Sequence, residues 1–152
     1  MENISVMVVE DDKLMREKLL DVLNQKSGWQ CVGAFSSGEA ALEEVTSLNP
    51  HVIVMDIGLP GMNGIECLRQ VKLCLPQVSV VMLTVFEDDN RIFDSILAGA
   101  NGYLLKRTPP SKIVDALWDI QNGGAPMSNQ IARRVLELFR AGKLLERAGR
   151  VP

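Results

Sequence analysis

Four places in this chain put chemically capable side chains directly behind an apolar run. The acidic triplet Glu10, Asp11 and Asp12 follows "ISVMVV"; Asp56 follows "VIVM"; Thr84 follows "VSVVML"; and Lys106 follows "GYLL". Carboxylates gathered from two such places repel one another unless a cation lies among them, and an all-oxygen set with open water positions suits Mg²⁺. A divalent ion there would screen Asp56 from an incoming phosphate dianion and stabilise charge on a transferring phosphoryl group. Thr84 could donate a hydrogen bond, and Lys106 a compact positive charge, to the phosphoryl oxygens. In that chemistry Asp56 is a nucleophile as well as a ligand. Taken singly, each residue has an ordinary explanation as a turn former, a β-branched strand residue or a solvated amine. Their joint placement is what points to a site.

The apolar runs are of strand length, at 4–9, 31–35, 52–55, 78–83 and 102–105. Between and after them, apolar residues recur at helical steps: Leu14, Leu19, Val22 and Leu23; Ala41, Leu42, Val45 and Leu48; Ile65, Leu68 and Val71; Ile92, Ile96 and Leu97; Ile113, Ala116, Leu117 and Ile120. Strict strand–helix alternation predicts an α/β fold, a doubly wound parallel sheet of five strands with helices on both faces. In such sheets ligands bind beyond the carboxyl ends of the strands, where all the residues named above would converge. Ser37 and Ser111 are expected to cap the second and fifth helices. A break at "QNGGAPMSN" precedes one more helix expected over 128–150, capped by Ser128, with Ile131, Val135, Leu138 and Phe139 on one stripe. Arg133, Arg134, Arg140, Lys143, Arg147 and Arg150 are read as its solvated face.

Composition narrows the classes. With 152 residues, 47% hydrophobic and a net charge of −3, the chain is of ordinary globular make-up, and its bulk charge does not favour a polyanion. Cys31, Cys67 and Cys74 have no CxxC spacing and His51 is the sole histidine, so a zinc site or disulfide framework is not expected; small buried thiols in a reducing compartment are. The N-terminal apolar run is too short for a signal peptide or membrane span, which makes the cytoplasm the expected location and a membrane partner unexpected.

The motifs "VVEDD", "VMDIGLPGMNG", "MLT" and "GYLLK" together resemble the receiver domain of bacterial two-component response regulators, over residues 4 to about 122. The resemblance implies the flavodoxin-like strand order 2-1-3-4-5. It implies that Asp56 accepts a phosphoryl group from a sensor histidine kinase, the protein catalysing only its own phosphorylation and dephosphorylation. Glu10, Asp11 and Asp56 would hold Mg²⁺ with the backbone carbonyl of Gly58, and Asp12 would cap the first helix. Thr84 corresponds to the switch hydroxyl, Tyr103 to the switch aromatic and Lys106 to the family lysine. Phosphoryl oxygens would draw in the Thr84 hydroxyl, the Tyr103 ring would fill the vacated space, and the surface around the fourth helix and fifth strand would repack.

The tail resembles the linker that in the NarL/LuxR class joins a receiver to a DNA-binding helix-turn-helix, so the expected division is a receiver at 1–122 and a linker with C-terminal helix at 123–152, with DNA contacted only through an output domain outside this chain; the alternative is a stand-alone receiver with a helical tail that acts through protein–protein interaction. Homodimerisation on phosphorylation is expected through the fourth and fifth helices or through the tail helix. Two positions depart from the family pattern. Arg107 stands where a proline, commonly behind a cis bond, is frequent, and the 106–110 loop is expected to keep the lysine in place, through a strained 106–107 bond if need be. Phe86, two after Thr84, is bulky and apolar at a position that tunes dephosphorylation, which implies a longer-lived phosphoryl state. Competing readings are disfavoured by single residues. A haloacid-dehalogenase-type phosphohydrolase needs an acid two after its nucleophile, where Gly58 stands; a flavin or nucleotide binder needs a phosphate-cradling first loop, where "EDDKLM" is acidic. A degenerate receiver would have lost Asp56, Thr84 or Lys106.

Overall fold

The structure, a computed structural model, describes residues 3–142. Elements alternate along the chain as β1 (Ile4–Val9), α1 (Lys13–Gln25), β2 (Trp29–Phe35), α2 (Gly38–Leu48), β3 (Val52–Met55), α3 (Gly64–Cys74), β4 (Ser79–Thr84), α4 (Asp89–Leu97), β5 (Gly102–Leu105), α5 (Pro110–Gln121) and α6 (Asn129–Arg140). All strand pairs are parallel, in the order β2-β1-β3-β4-β5. Every residue of β3 and β5 is buried, as are the C-terminal parts of β1 and β4. Covering helices on both faces is what permits such unbroken apolar strands. One apolar cluster, on the α2–α3–α4 side, includes Met7, Ile53, Leu68 and Ile92; the other, on the α1–α5 side, includes Val8, Val54, Leu19 and Leu117.

Register fixes the site. Val9 pairs with Met55, so Glu10 and Asp56, one step further on, emerge side by side at the same edge of the sheet. Thr84 pairs with Leu105, which places Lys106 just past the same edge. Asp12 caps α1, its Oδ1 accepting from the N–H groups of Leu14 (2.9 Å) and Met15 (3.3 Å), and Ser37 caps α2 by accepting from Ala40 N–H at 3.2 Å.

Several expectations are corrected. β2 begins at Trp29, because Ile4 and Ser5 pair with Trp29 and Gln30. Ser111 does not cap α5: Pro110 opens the helix, and its missing N–H removes one of the donors a cap would serve. Ser128 stands at the N-cap of α6, but its hydroxyl oxygen instead accepts from Leu105 N–H at 3.0 Å. Cys67 is buried, Cys31 half-buried and Cys74 exposed, and all three are free. Leu14 and Leu97 lie outside the core. The part of the expected tail helix beyond 142, with Lys143, Arg147 and Arg150, lies outside the described residues.

The tail does more than extend the chain. β5 is the last strand in the sheet, yet its edge is closed by residues 126–128: Tyr103 N–H donates to Pro126 O at 3.0 Å, Ser128 N–H to Tyr103 O at 3.1 Å, and Tyr103 and Met127 form a parallel bridge. An open strand edge is thereby satisfied within the chain. α6 then turns back onto α4. Ile131 joins the cluster of Ile92, Tyr103 and Leu105, and Arg134 grips Asp89 with two prongs, Nε–Oδ1 2.6 Å and Nη2–Oδ2 2.9 Å. Arg134 is therefore a bidentate clamp and not part of a merely solvated face. Ile131 and Leu138 are buried but Phe139 is 66% exposed, so the stripe is narrower than expected. The apolar face that suggested dimerisation through this helix is largely covered by α4 and β5 of the same chain.

Among the described residues no helix is long and apolar enough to cross a membrane. Replacing Ile131 by Ala is expected to destabilise the protein by about 2–4 kcal/mol through an internal cavity, whereas Phe139→Ala should cost under about 0.5 kcal/mol. Urea unfolding of the two variants measures the difference, and equal effects would place α6 off the body of the protein.

Candidate functional site

At the C-terminal edge of the sheet, Asp56 is only 4% exposed, and both of its carboxylate oxygens are engaged. Oδ2 accepts from the Lys106 ammonium at 3.0 Å, and Oδ1 from the backbone N–H of Gly58 at 3.1 Å. Lys106 Nζ also lies 2.8 Å from Oε1 of the buried Glu10. That contact is an ion pair, and Oε1 has no further hydrogen-bond partner among the described residues. The other Glu10 oxygen accepts from Asp12 N–H at 3.1 Å. Asp11, exposed, completes the acidic group: one ligand oxygen from each of Glu10, Asp11 and Asp56 falls within 4.8 Å of the others.

Burial is the dominant influence on Glu10 and pushes its carboxyl well above the usual range; Lys106 and the Asp12 N–H oppose this, while the Asp56 charge adds to it. Burial also works against the Lys106 ammonium, but its contacts with Glu10 and Asp56 outweigh that and hold the amine above its ordinary value. Lys106 is thus a fixed positive charge between two carboxylates. A divalent cation fits this group on structural grounds: the donors are all oxygen, one buried carboxylate oxygen is met only by the Lys106 ammonium, and the carboxylates already converge.

The lysine reaches this position through an ordinary backbone. Among the described residues every peptide bond is trans, including 106–107, so no strained bond is used. Lys106 N–H donates to Thr84 O at 2.8 Å and Thr108 N–H to Leu105 O at 2.9 Å, which turns the chain sharply after β5. Arg107, exposed, pairs with Glu87 at 3.3 Å.

Thr84 is fully buried, and its hydroxyl oxygen accepts from Phe86 N–H at 3.2 Å. With that lone pair used, the hydroxyl proton is left for a different acceptor. Tyr103 is buried, and its hydroxyl donates to Phe86 O at 2.8 Å. Burial holds this phenol far above its ordinary titration range, so it acts as a donor throughout the usual pH range. The Tyr103 ring therefore already occupies the interior. Phe86, expected only to stand near the site, is the backbone link between Thr84 and Tyr103.

Gly64, the last residue of the "VMDIGLPGMNG" motif, opens α3. A β-carbon there would lie 1.9 Å from the carbonyl oxygen of Asp56 and 2.8 Å from Ile57 Cα. Only glycine lets α3 start against the backbone that carries Asp56, and the Gly64 N–H donates to Ile57 O at 2.8 Å. The motif "GMNG" carried the signal for this, but spacing alone does not distinguish a turn glycine from a contact glycine. At Gly58 a β-carbon would meet nothing closer than 3.5 Å.

A doubly wound parallel sheet with an acidic strand-end cluster, a buried aspartate and a lysine bridging them defines the class of α/β proteins whose ligands bind at the carboxyl edge of the sheet. Within that class the chain belongs to the response regulator receiver domain family, whose model matches residues 6–118. It is 30% identical to the transcriptional regulatory protein LnrK of Bacillus subtilis (strain 168) over 94% of this chain and 65% of that protein. It is 30% identical to the transcriptional regulatory protein DegU of Brevibacillus brevis over 90% of this chain and 58% of that protein. The chain thus spans about three fifths of the length of these curated relatives. A two-component response regulator of the LuxR family from Aurantimonas sp. SI85-9A1 superposes with a TM-score of 0.84 at 26% identity, over 90% of this chain and 97% of that one.

The glycine geometry gives a direct test. Gly64→Ala is expected to cost about 3 kcal/mol or more, because backbone must move to admit the methyl group, while Gly58→Ala should cost under about 1 kcal/mol. Denaturant titration of both variants checks this, and a tolerated Gly64→Ala would contradict the packing described.

Proposed function

We propose that Asp56 accepts a phosphoryl group from a phosphohistidine of a sensor histidine kinase, and that the aspartyl phosphate sets the state of the α4–β5 face and the tail packed on it. One observation carries this: a buried carboxylate at the end of a central strand, held by Lys106 and a backbone N–H beside two further carboxylates.

In the reaction an Asp56 oxygen attacks phosphorus, the P–N bond breaks, and its electron pair returns to the kinase imidazole. Burial of β3 fixes the attacking carboxylate, so little orientational freedom is left to lose. Glu10, Asp11, Asp56 and the Gly58 carbonyl would hold Mg²⁺, which when bound neutralises charge on the phosphoryl oxygens. Lys106, with three donors, can keep one contact to carboxylate while another meets a phosphoryl oxygen. Thr84 supplies the hydroxyl proton that Phe86 N–H leaves free. Tyr103 lies inside, which is one of the two arrangements such a switch requires, and a phosphoryl group that engages Thr84 favours it by stabilising the Thr84–Phe86–Tyr103 chain. Tyr103 is joined by its backbone to Pro126 and Ser128, so that chain continues into the tail.

The similarity to transcriptional regulators longer than this chain supports a transcriptional output through a DNA-binding domain joined beyond α6, and the cytoplasm as the place of action. Homodimerisation on phosphorylation belongs to the same proposal, and α6, packed on α4, stands beside the face it would use.

Incubation with acetyl phosphate and Mg²⁺ should add the mass of one phosphoryl group to the wild type and none to Asp56→Asn. A similar gain in the mutant would overturn the assignment. Saturating Mg²⁺, at 100 times its Kd, should stabilise the wild type by about 2.7 kcal/mol. That gain should disappear in Asp11→Ala and persist in Gly58→Ala, since the Gly58 ligand is main chain; differential scanning fluorimetry with and without Mg²⁺ reads both.

A further inference from the structure

We propose that Arg91 is a positioning residue that holds the Phe86 ring across the mouth of the Asp56 pocket and thereby lengthens the life of the aspartyl phosphate. The inference rests on the reading of Asp56 as phosphoryl acceptor and adds to it a residue that touches neither phosphoryl group nor metal.

The Phe86 ring stands at the pocket. Its Cε2 lies 3.5 Å, and Asp56 Oδ1 lies 3.9 Å, from the point where a β-carbon on Gly58 would sit. Ring and carboxylate therefore flank the same spot on the β3–α3 loop. The backbone of Phe86 is fixed at both ends, by Thr84 Oγ1 and by the Tyr103 hydroxyl, but neither bond fixes the side-chain torsion. Arg91 does: its guanidinium carbon sits 3.9 Å from the ring centroid, well inside cation–π range.

Arg91 is itself held in place. Asp88 caps α4 by accepting from Arg91 N–H at 3.2 Å on one oxygen and from the guanidinium Nη1 at 3.0 Å on the other. Residues 86, 88 and 91 thus form a closed bracket over the first turn of α4. On its outer side lies an open cleft of ≈ 500 Å³, lined among others by Gly58, Asn63, Phe86 and Arg91. The ring belongs to that lining and also stands beside the Gly58 position that Asp56 Oδ1 faces, so it borders both the water-accessible cleft and the carboxylate's side of the loop.

Loss of the phosphoryl group is hydrolysis. A water oxygen attacks phosphorus, the bond from phosphorus to the Asp56 oxygen breaks with its electron pair returning to the carboxylate, and hydrogen phosphate and a proton are released. A ring held beside the carboxylate restricts the approach of that water. Freed from Arg91, the ring samples other torsions and the approach opens.

The test is the decay of protein phosphorylated with acetyl phosphate and Mg²⁺, followed by intact mass after removal of the donor. Arg91→Ala should shorten the half-life about fivefold, equivalent to roughly 1 kcal/mol and in line with a partly exposed cation–π contact. Arg91→Lys, which keeps a cation over the ring, should restore most of it. Phe86→Ala should decay at least as fast, and Arg91→Ala should add nothing further in the Phe86→Ala background. Unchanged decay in Arg91→Ala would overturn the inference, as would an undiminished effect of Arg91→Ala without the ring, which would mean that the guanidinium acts on the phosphoryl group directly. A wild type that takes up no phosphoryl group removes the reading of Asp56 and this inference with it, whereas normal uptake with unaltered decay removes the inference alone.

Discussion

The contact on which this structure turns is the single ammonium of Lys106 between two buried carboxylates. Glu10 and Asp56 emerge from adjacent parallel strands because Val9 and Met55 are in register, and neither can move apart without breaking the sheet. Two such charges at low solvent exposure are costly unless a cation stands between them. Lys106 satisfies part of that demand, at 3.0 Å from Asp56 and 2.8 Å from Glu10. The demand that remains, visible in three converging carboxylates served by one ammonium, is what suits the site to a divalent cation.

Around that contact the structure is arranged as a relay of short bonds. Thr84 accepts from Phe86, Tyr103 donates to Phe86, and Tyr103 exchanges backbone bonds with Pro126 and Ser128. Each step joins one element to the next, from β4 through the β4–α4 loop to β5 and then to the tail. α6 closes the path by packing Ile131 beside Ile92 and clamping Asp89 with Arg134. β5 has its outer edge filled by the chain's own residues, so Tyr103 is joined to the tail by backbone bonds.

Much of this was legible in the order of residue types. The alternation of apolar runs and helical periodicity gives the five-stranded parallel sheet, since only strands buried on both faces can be apolar throughout. The placement of Glu10, Asp11, Asp56, Thr84 and Lys106 behind those runs leads to one edge of the sheet by topology alone. Asp12 and Ser37 act as caps, as their positions ahead of helical periodicity suggest. Ser128 was legible only by position, since its hydroxyl is drawn to Leu105 by a β5 edge that does not exist until the sheet is assembled. Ser111 failed as a cap because Pro110 had already opened the helix.

Fold class and the membership of the charged cluster follow from the order of residue types, because periodicity and strand-end position are properties of short stretches. Tertiary structure decided the rest. Whether Lys106 reaches Asp56 without a proline after it depends on the cross-strand bond to Thr84 O and the turn closed by Leu105 O; whether Gly64 is replaceable depends on the backbone of Asp56 lying against it. That the apolar stripe of α6 belongs to its own chain, and that Arg91 lies over Phe86, follow from contacts between elements distant or differently aimed along the chain. Side-chain type limits what a residue can do, but distance and direction select which of those things it does, and these are fixed only when the elements pack.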